Sequence, residues 1–184
     1  MTGLIEEWQS GNIHAFEAIF REYQKLVFRT AYLMTGKKEE AEDVLQEVFL
    51  KVWKSRHTFN PEKGKLTTWL HKITVNHCTS RQRRRHPPLL SMEQKNLDWP
   101  DMKHREQPEE ILVTRSEYER LIKAMNSLDS KHRSVLVLRY FSDLSYDEIA
   151  HIVGIPLGTV KSRISQALKS VRSQLSNQQS EVST

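Results

Sequence analysis

The sequence predicts an all-α protein made of two small helical domains joined by a flexible linker. Three observations carry this. Apolar residues recur at i, i+3, i+4 and i+7 in one segment after another. The 184 residues contain only 6 glycines and 6 prolines, and these are poorly placed to punctuate strands. A Pro87-Pro88 pair followed by a polar, charged stretch divides the chain into two parts.

The first long helix runs from about Ile13 to Met34, with Ile13, Phe16, Ile19, Tyr23, Leu26 and Val27 on one face. Gly36 stands where a left-handed C-terminal residue ends such a helix. Ala41, Val44, Leu45, Val48, Phe49, Val52 and Trp53 then form the cleanest amphipathic stripe in the chain. Asn60-Pro61-Glu62-Lys63-Gly64 is a loop on turn chemistry alone. A further helix spans Leu66 to about Arg84, turning Leu66, Trp69, Leu70, Ile73 and either His77 or Cys78 to the core. Three helices from about residue 10 to 85 can enclose a small core, so residues 1–86 form the first domain. Residues 87–108 read as the linker, in which Met92, Leu97 and Trp99 are apolar enough to dock transiently. The second domain, 109–176, holds helices at about 109–126, 131–141, 146–153 and 157–176. The Ser/Gln-rich residues 177–184 read as a disordered tail.

Within the second domain, Ser145 to Arg163 has the spacing of a helix-turn-helix. Ala150 supplies the small residue where two axes approach, Gly154 the positive φ of the turn, and Val160 the apolar residue beneath the second helix. Val160, Ile164, Leu168, Val171 and Leu175 continue that inner face. The opposite face carries Thr159, Lys161, Ser162, Ser165, Gln166, Lys169 and Arg172, with no carboxylate among them, which suits a major groove.

Charge supports a polyanionic partner. The net charge is +5, and its distribution runs basic, acidic, basic along the chain. Cys78 is the only cysteine, which excludes an internal disulfide and a cysteine-rich zinc site. His71, His77 and His86 lack the i, i+3 or i+4 spacing of helical metal ligands, so no metal and no cofactor is expected. No signal peptide or membrane-spanning run is visible, and a cytoplasmic protein is expected. Nucleophile motifs, phosphate loops and paired catalytic carboxylates are lacking too, so catalysis is not expected of this chain.

On the second helix of the first domain, Asp43, Gln46, Glu47 and Leu50 share a face beside the apolar stripe. That pattern fits an ordinary solvated face, or a docking face with Leu50 at its centre and acids that seek a basic partner.

Three motifs bear on the choice. Ala41-Glu42-Asp43-Val44-Leu45-Gln46-Glu47-Val48-Phe49 resembles the signature helix of bacterial RNA polymerase sigma factors. Thr67-Thr68-Trp69-Leu70-His71-Lys72-Ile73-Thr74-Val75-Asn76, ending in an arginine run, is similar to that family's minus-ten-reading and melting segment. Leu136 to Phe141, Ser145 to Ala150 and Gly158 to Arg163 together resemble its minus-thirty-five reader. Two matching domains with only a short linker between them resemble the extracytoplasmic-function subfamily, over about residues 10 to 175. The resemblance implies that Asp43, Gln46, Glu47 and Leu50 dock on the clamp helices of the polymerase's largest subunit. It also implies a flap contact, promoter DNA and an anti-sigma partner, and it places the flipped minus-ten base against the Asn60–Gly64 loop.

Within that frame Phe59 is the candidate stacking surface, and Trp69 is either core or part of the same minus-ten set. Asn76 is the candidate base contact, because its amide donates and accepts in one plane; a plain surface amide is the other reading. Lys72, Arg81 and Arg84 are phosphate neutralisers. In the upstream reader, Lys161, Ser162 and Gln166 lead, with Thr159, Ser165 and Lys169 beside them. Arg163 either joins them or pairs with Glu148. Gln166 stands where the family often has arginine, and Asp129 where it usually has proline; Asp129 or Ser130 can still cap the next helix. The rival readings are a conventional helix-turn-helix regulator with an N-terminal sensor or dimerisation domain, and a nucleic-acid-processing enzyme.

Overall fold

The computed structural model describes residues 2–85 and 115–182, and among them every regular element is helical. The expected linker and the start of the fifth helix, with Met92, Leu97 and Trp99, lie outside the described residues, as does His86.

The chain opens with a helix absent from the sequence reading, α1 (Thr2–Ser10). Its Trp8 is fully buried and stacks edge-on against Trp69, with ring centroids 5.9 Å apart. Asn12 caps α2 (Ile13–Thr35) by accepting from the His14 and Ala15 amides, which satisfies two donors the helix leaves open. Gly36 ends α2 at φ 73°, with its amide on the Tyr32 carbonyl. There is a second reason for glycine here, since a Cβ would overlap the Asn126 amide of the other domain. α3 (Lys38–Lys54) follows, then a 3₁₀ turn at Arg56–Thr58, the 60–64 loop, and α4 (Leu66–Arg85). The α2 and α3 stripes bury Ile19, Val27, Val44, Val48 and Val52 against Leu70 and Val75 of α4. Both His77 and Cys78 turn inward, whereas Ile13 stays half exposed.

In the second domain, α5 (Arg115–Asn126) leads to α6 (Ser130–Leu136), capped by Asp129, whose carboxylate accepts from the His132 amide. α6 runs on into a wide π-type turn over Val137–Phe141. Ser145 and Glu148 close a reciprocal capping box on α7 (Tyr146–Val153), and Gly154 terminates it at φ 68°. No atom lies within 4 Å of a Cβ built there, so conformation alone calls for glycine at this position. α8 (Leu157–Val182) is longer than expected: the helix passes Ser176 and continues to Val182, which corrects the reading of 177–182 as a disordered tail.

The two domains touch. α4 packs not only on α2 and α3 but also on α6 and α7. Arg133, almost wholly buried, donates to the Met34 carbonyl of the first domain (2.7 Å) and to the Asn126 and Leu128 carbonyls of the second (2.6 and 2.9 Å). Burial lowers its pKa to about 10, and its Nε has no partner.

Candidate nucleic-acid interface

α8 is shaped by its inner face. Val160, Ile164, Ala167 and Val171 are buried against the rest of the domain, and Leu168 and Leu175 are half-buried. That orientation leaves Lys161, Ser162, Ser165, Gln166, Lys169 and Arg172 exposed along one side. Thr159 and Arg163 are half-buried at its margin. The Ser162 hydroxyl donates to the Thr159 carbonyl at 3.0 Å. Glu148 does not pair with Arg163; its carboxylate accepts from the Ser145 amide and hydroxyl, and these bonds hold its pKa below the usual range. The whole upstream set therefore lies on one helix, free of acidic neighbours on that helix. Gln166 is not isolated, however, because its Oε1 lies 3.1 Å from His132 Nε2 of α6.

The first domain presents two features. On α3, Asp43, Gln46 and Glu47 are exposed, and Leu50 among them is 59% exposed. Two of these acids are engaged within the chain. Arg81 of α4, expected as a phosphate contact, donates in the free chain to Asp43 Oδ2 (2.9 Å) and to Glu47 Oε1 (3.2 Å). His77 sits beneath this pair. Lys51 Nζ donates to its Nδ1, while its Nε2 lies 3.1 Å from Glu47 Oε2 but is poorly aligned for a hydrogen bond. Burial, then the nearby Lys51, Arg81 and Arg84 charges, lower the His77 pKa against the opposing pull of Glu47.

The second feature is the 59–67 loop and the start of α4. A cavity of about 600 Å³ opens there between α1, α2 and the loop, lined by Leu4, Ile19, Tyr23, Phe59, Leu66 and Thr67 among others. Phe59 is not the exposed stacking platform expected of it. It is 5% exposed, packed 6.2 Å from Trp8 and 5.4 Å from Trp69 between ring centroids, and forms part of the cavity wall. Trp69 is half-buried in the same aromatic cluster. The cluster needs α1, and so does the loop: Gln9 donates to the Phe59 carbonyl (2.6 Å) and the Arg56 carbonyl (3.2 Å). Asn76 and Arg84 are exposed on α4, and Lys72 is half-buried.

Sequence reasoning missed Gln9, His132 and Arg133, whose roles rest on partners 34 to 99 residues away. Among the described residues no group of three or more His, Cys, Asp and Glu side chains gathers as a metal site would. His71 is buried; its Nδ1 lies 3.2 Å from the Thr30 hydroxyl and 3.5 Å from that of Ser142. No described helix is long and apolar enough to cross a membrane.

Known proteins with this arrangement share a family. The Sigma-70 region 2 model matches residues 19–87, and the Sigma-70 region 4 model matches residues 124–173. The chain is 31% identical over 177 residues to the ECF RNA polymerase sigma factor SigW of Bacillus subtilis, covering 93% of this chain and 94% of that protein. It is 32% identical over 183 residues to the ECF RNA polymerase sigma-E factor of Haemophilus influenzae, covering 94% and 93%. Among solved structures, the fold is similar to the sigma factor RpoE of Bartonella quintana in complex with the anti-sigma factor NepR (TM-score 0.69, 23% identity, covering 88% of this chain and 96% of that one). It is also similar to CnrH in complex with the cytosolic domain of CnrY (TM-score 0.67, 22% identity, covering 95% and 96%). With both regions matched in order and relatives aligned nearly end to end, the chain belongs to the extracytoplasmic-function (ECF) family of RNA polymerase sigma factors.

Proposed function

We propose that this sigma factor divides its work between its domains. The exposed Asp43, Gln46, Glu47 and Leu50 face docks on the clamp helices of core RNA polymerase, and a second contact is made to the flap. α8 anchors the assembly on the upstream promoter element through Lys161, Ser162, Gln166 and their neighbours. The first domain holds unpaired minus-ten bases, with Asn76 contacting a base and Lys72 and Arg84 neutralising phosphate. The cavity of about 600 Å³ behind the 59–67 loop receives an unstacked base, and aromatic stacking contributes roughly 1–3 kcal/mol per base. Tethering lets each contact stay weak alone.

The observation that carries this reading is the exposed Leu50 among acids on α3. A conventional regulator has no use for such a face. In the free chain Arg81 neutralises part of it, so a basic partner on Asp43 and Glu47 competes with Arg81 and releases it toward the DNA. The protein acts by binding, in the cytoplasm, and adds no chemistry of its own; an anti-sigma partner covers these surfaces when transcription is not required. Co-purification with core enzyme is the test. The natural chain should bind core, and Asp43→Lys with Glu47→Lys should abolish binding while the thermal transition stays cooperative. Absence of binding by the natural chain contradicts the proposal.

A further inference from the structure

Asp129, His132 and Gln166 form a connected row from the start of α6 to the middle of α8. Asp129 Oδ1 accepts from the His132 backbone amide at 2.9 Å, the cap of α6, and lies 3.0 Å from the same residue's ring Nδ1. Burial works against this carboxylate, but the hydrogen bonds from His132 outweigh it and hold its pKa below the usual value. An ionised carboxylate only accepts, so Nδ1 carries the proton and the ring is fixed by the cap itself. The other ring nitrogen, Nε2, lies 3.1 Å from Gln166 Oε1. With the proton on Nδ1 it can only accept, so it bonds the amide when the amide turns its NH2 to the ring and leaves Oε1 facing outward. His132 is half-buried between α6 and α8, while Gln166 is exposed beside Ser162, Ser165 and Lys169.

A free glutamine amide is a poor reader of sequence. It rotates about its last bond and can present oxygen or nitrogen to a base edge, matching several bases in turn. An amide with one atom committed to a fixed ring presents one remaining arrangement of donors and acceptors. We propose that His132, held by Asp129, is a positioning residue that fixes the Gln166 amide and thereby sets which base pair the upstream reader accepts. The inference rests on the reading of α8 as the upstream DNA contact. It adds a specificity determinant that lies on a different helix and touches no DNA.

The test is selection from a promoter library randomised across the upstream element. The holoenzyme is assembled from core polymerase and the full chain, in natural form or carrying Gln166→Ala, His132→Ala or His132→Phe. His132→Phe keeps the ring's bulk and removes both nitrogens, so it separates lost hydrogen bonds from lost packing. One base position should lose its preference with Gln166→Ala. At that same position, both His132 variants should reduce discrimination by about fivefold or more, the scale of one good side-chain contact to a base. They should leave preferences elsewhere and the salt dependence of binding unchanged. A uniform loss of binding with the preference intact means that His132 is merely structural, and overturns the proposal. So does an unchanged profile for both His132 variants when Gln166→Ala alters it. If Gln166→Ala changes no position, Gln166 does not read a base, and the parent reading of that residue fails along with this one.

Discussion

At the scale of single residues, burial decides more than charge does. His71 lies between Thr30 of the first domain and Ser142 of the second, and burial lowers its pKa from 6.5 to about 4. The unfolded chain takes up this proton at higher pH than the folded one, so stability is complete above about pH 6.5 and is lost as pH falls toward 4. The loss between pH 7 and pH 5 should be about 2 kcal/mol from this residue, on the basis of 1.36 kcal/mol per pKa unit. Thermal or urea unfolding at the two pH values measures it, and His71→Asn, which cannot titrate there, should flatten the difference. Residue roles were legible in the sequence where they depend on near neighbours. The Gly36 and Gly154 turns and the Asp129 cap follow from spacing within a few positions. The Arg81–Asp43 and His132–Gln166 pairs were not legible, because two helices must first be docked before those side chains meet.

At the scale of elements, the helices of the first domain from α2 to α4 lie where the sequence placed them, and α1 is the one it missed. α3 shows its stripe plainly because one face is covered and the opposite one is open. α4 hides its pattern, since His71, Thr74 and His77 are buried alongside Leu70 and Val75. Helices pack on it from more than one side, so its buried surface is too wide to appear as a stripe. α1 escaped notice because nine residues carry little helical signal and Glu6 and Glu7 interrupt the apolar ones. Its stability comes from tertiary packing of Trp8, which has no exposed surface. Trp8→Ala should therefore cost about 3–5 kcal/mol, the range for emptying a large aromatic site. It should also raise amide hydrogen exchange in the 56–67 segment, which Gln9 and the aromatic cluster hold in place. Protection there that survives the substitution would dissociate α1 from the loop.

At the scale of the molecule, one guanidinium ties the two domains together within the wider contact of α2 and α4 with the second domain. Arg133 serves carbonyls of both domains, and Gly36 lets the Asn126 amide approach. The sequence presents Arg133 as one more cation in a basic protein, and only the folded chain gives it an address. Arg133→Met keeps much of the stem but leaves three carbonyls without their donor, and should destabilise the chain by about 3 kcal/mol. If the domain contact depends on it, the radius of gyration from small-angle scattering should rise as well. The α3 docking face and the α8 reading face both remain exposed while the domains touch, so neither surface needs the contact broken in order to be reached.

The central claim is that these two faces act together, one holding the polymerase and the other choosing where it starts. Run-off transcription by core enzyme over a randomised promoter library measures this directly. Adding the chain should produce transcripts from a selected subset of templates that share two separated sequence elements, and Asp43→Lys with Glu47→Lys should remove them. Transcription no different from that of core enzyme alone, or a selected subset with a single element, would contradict the account.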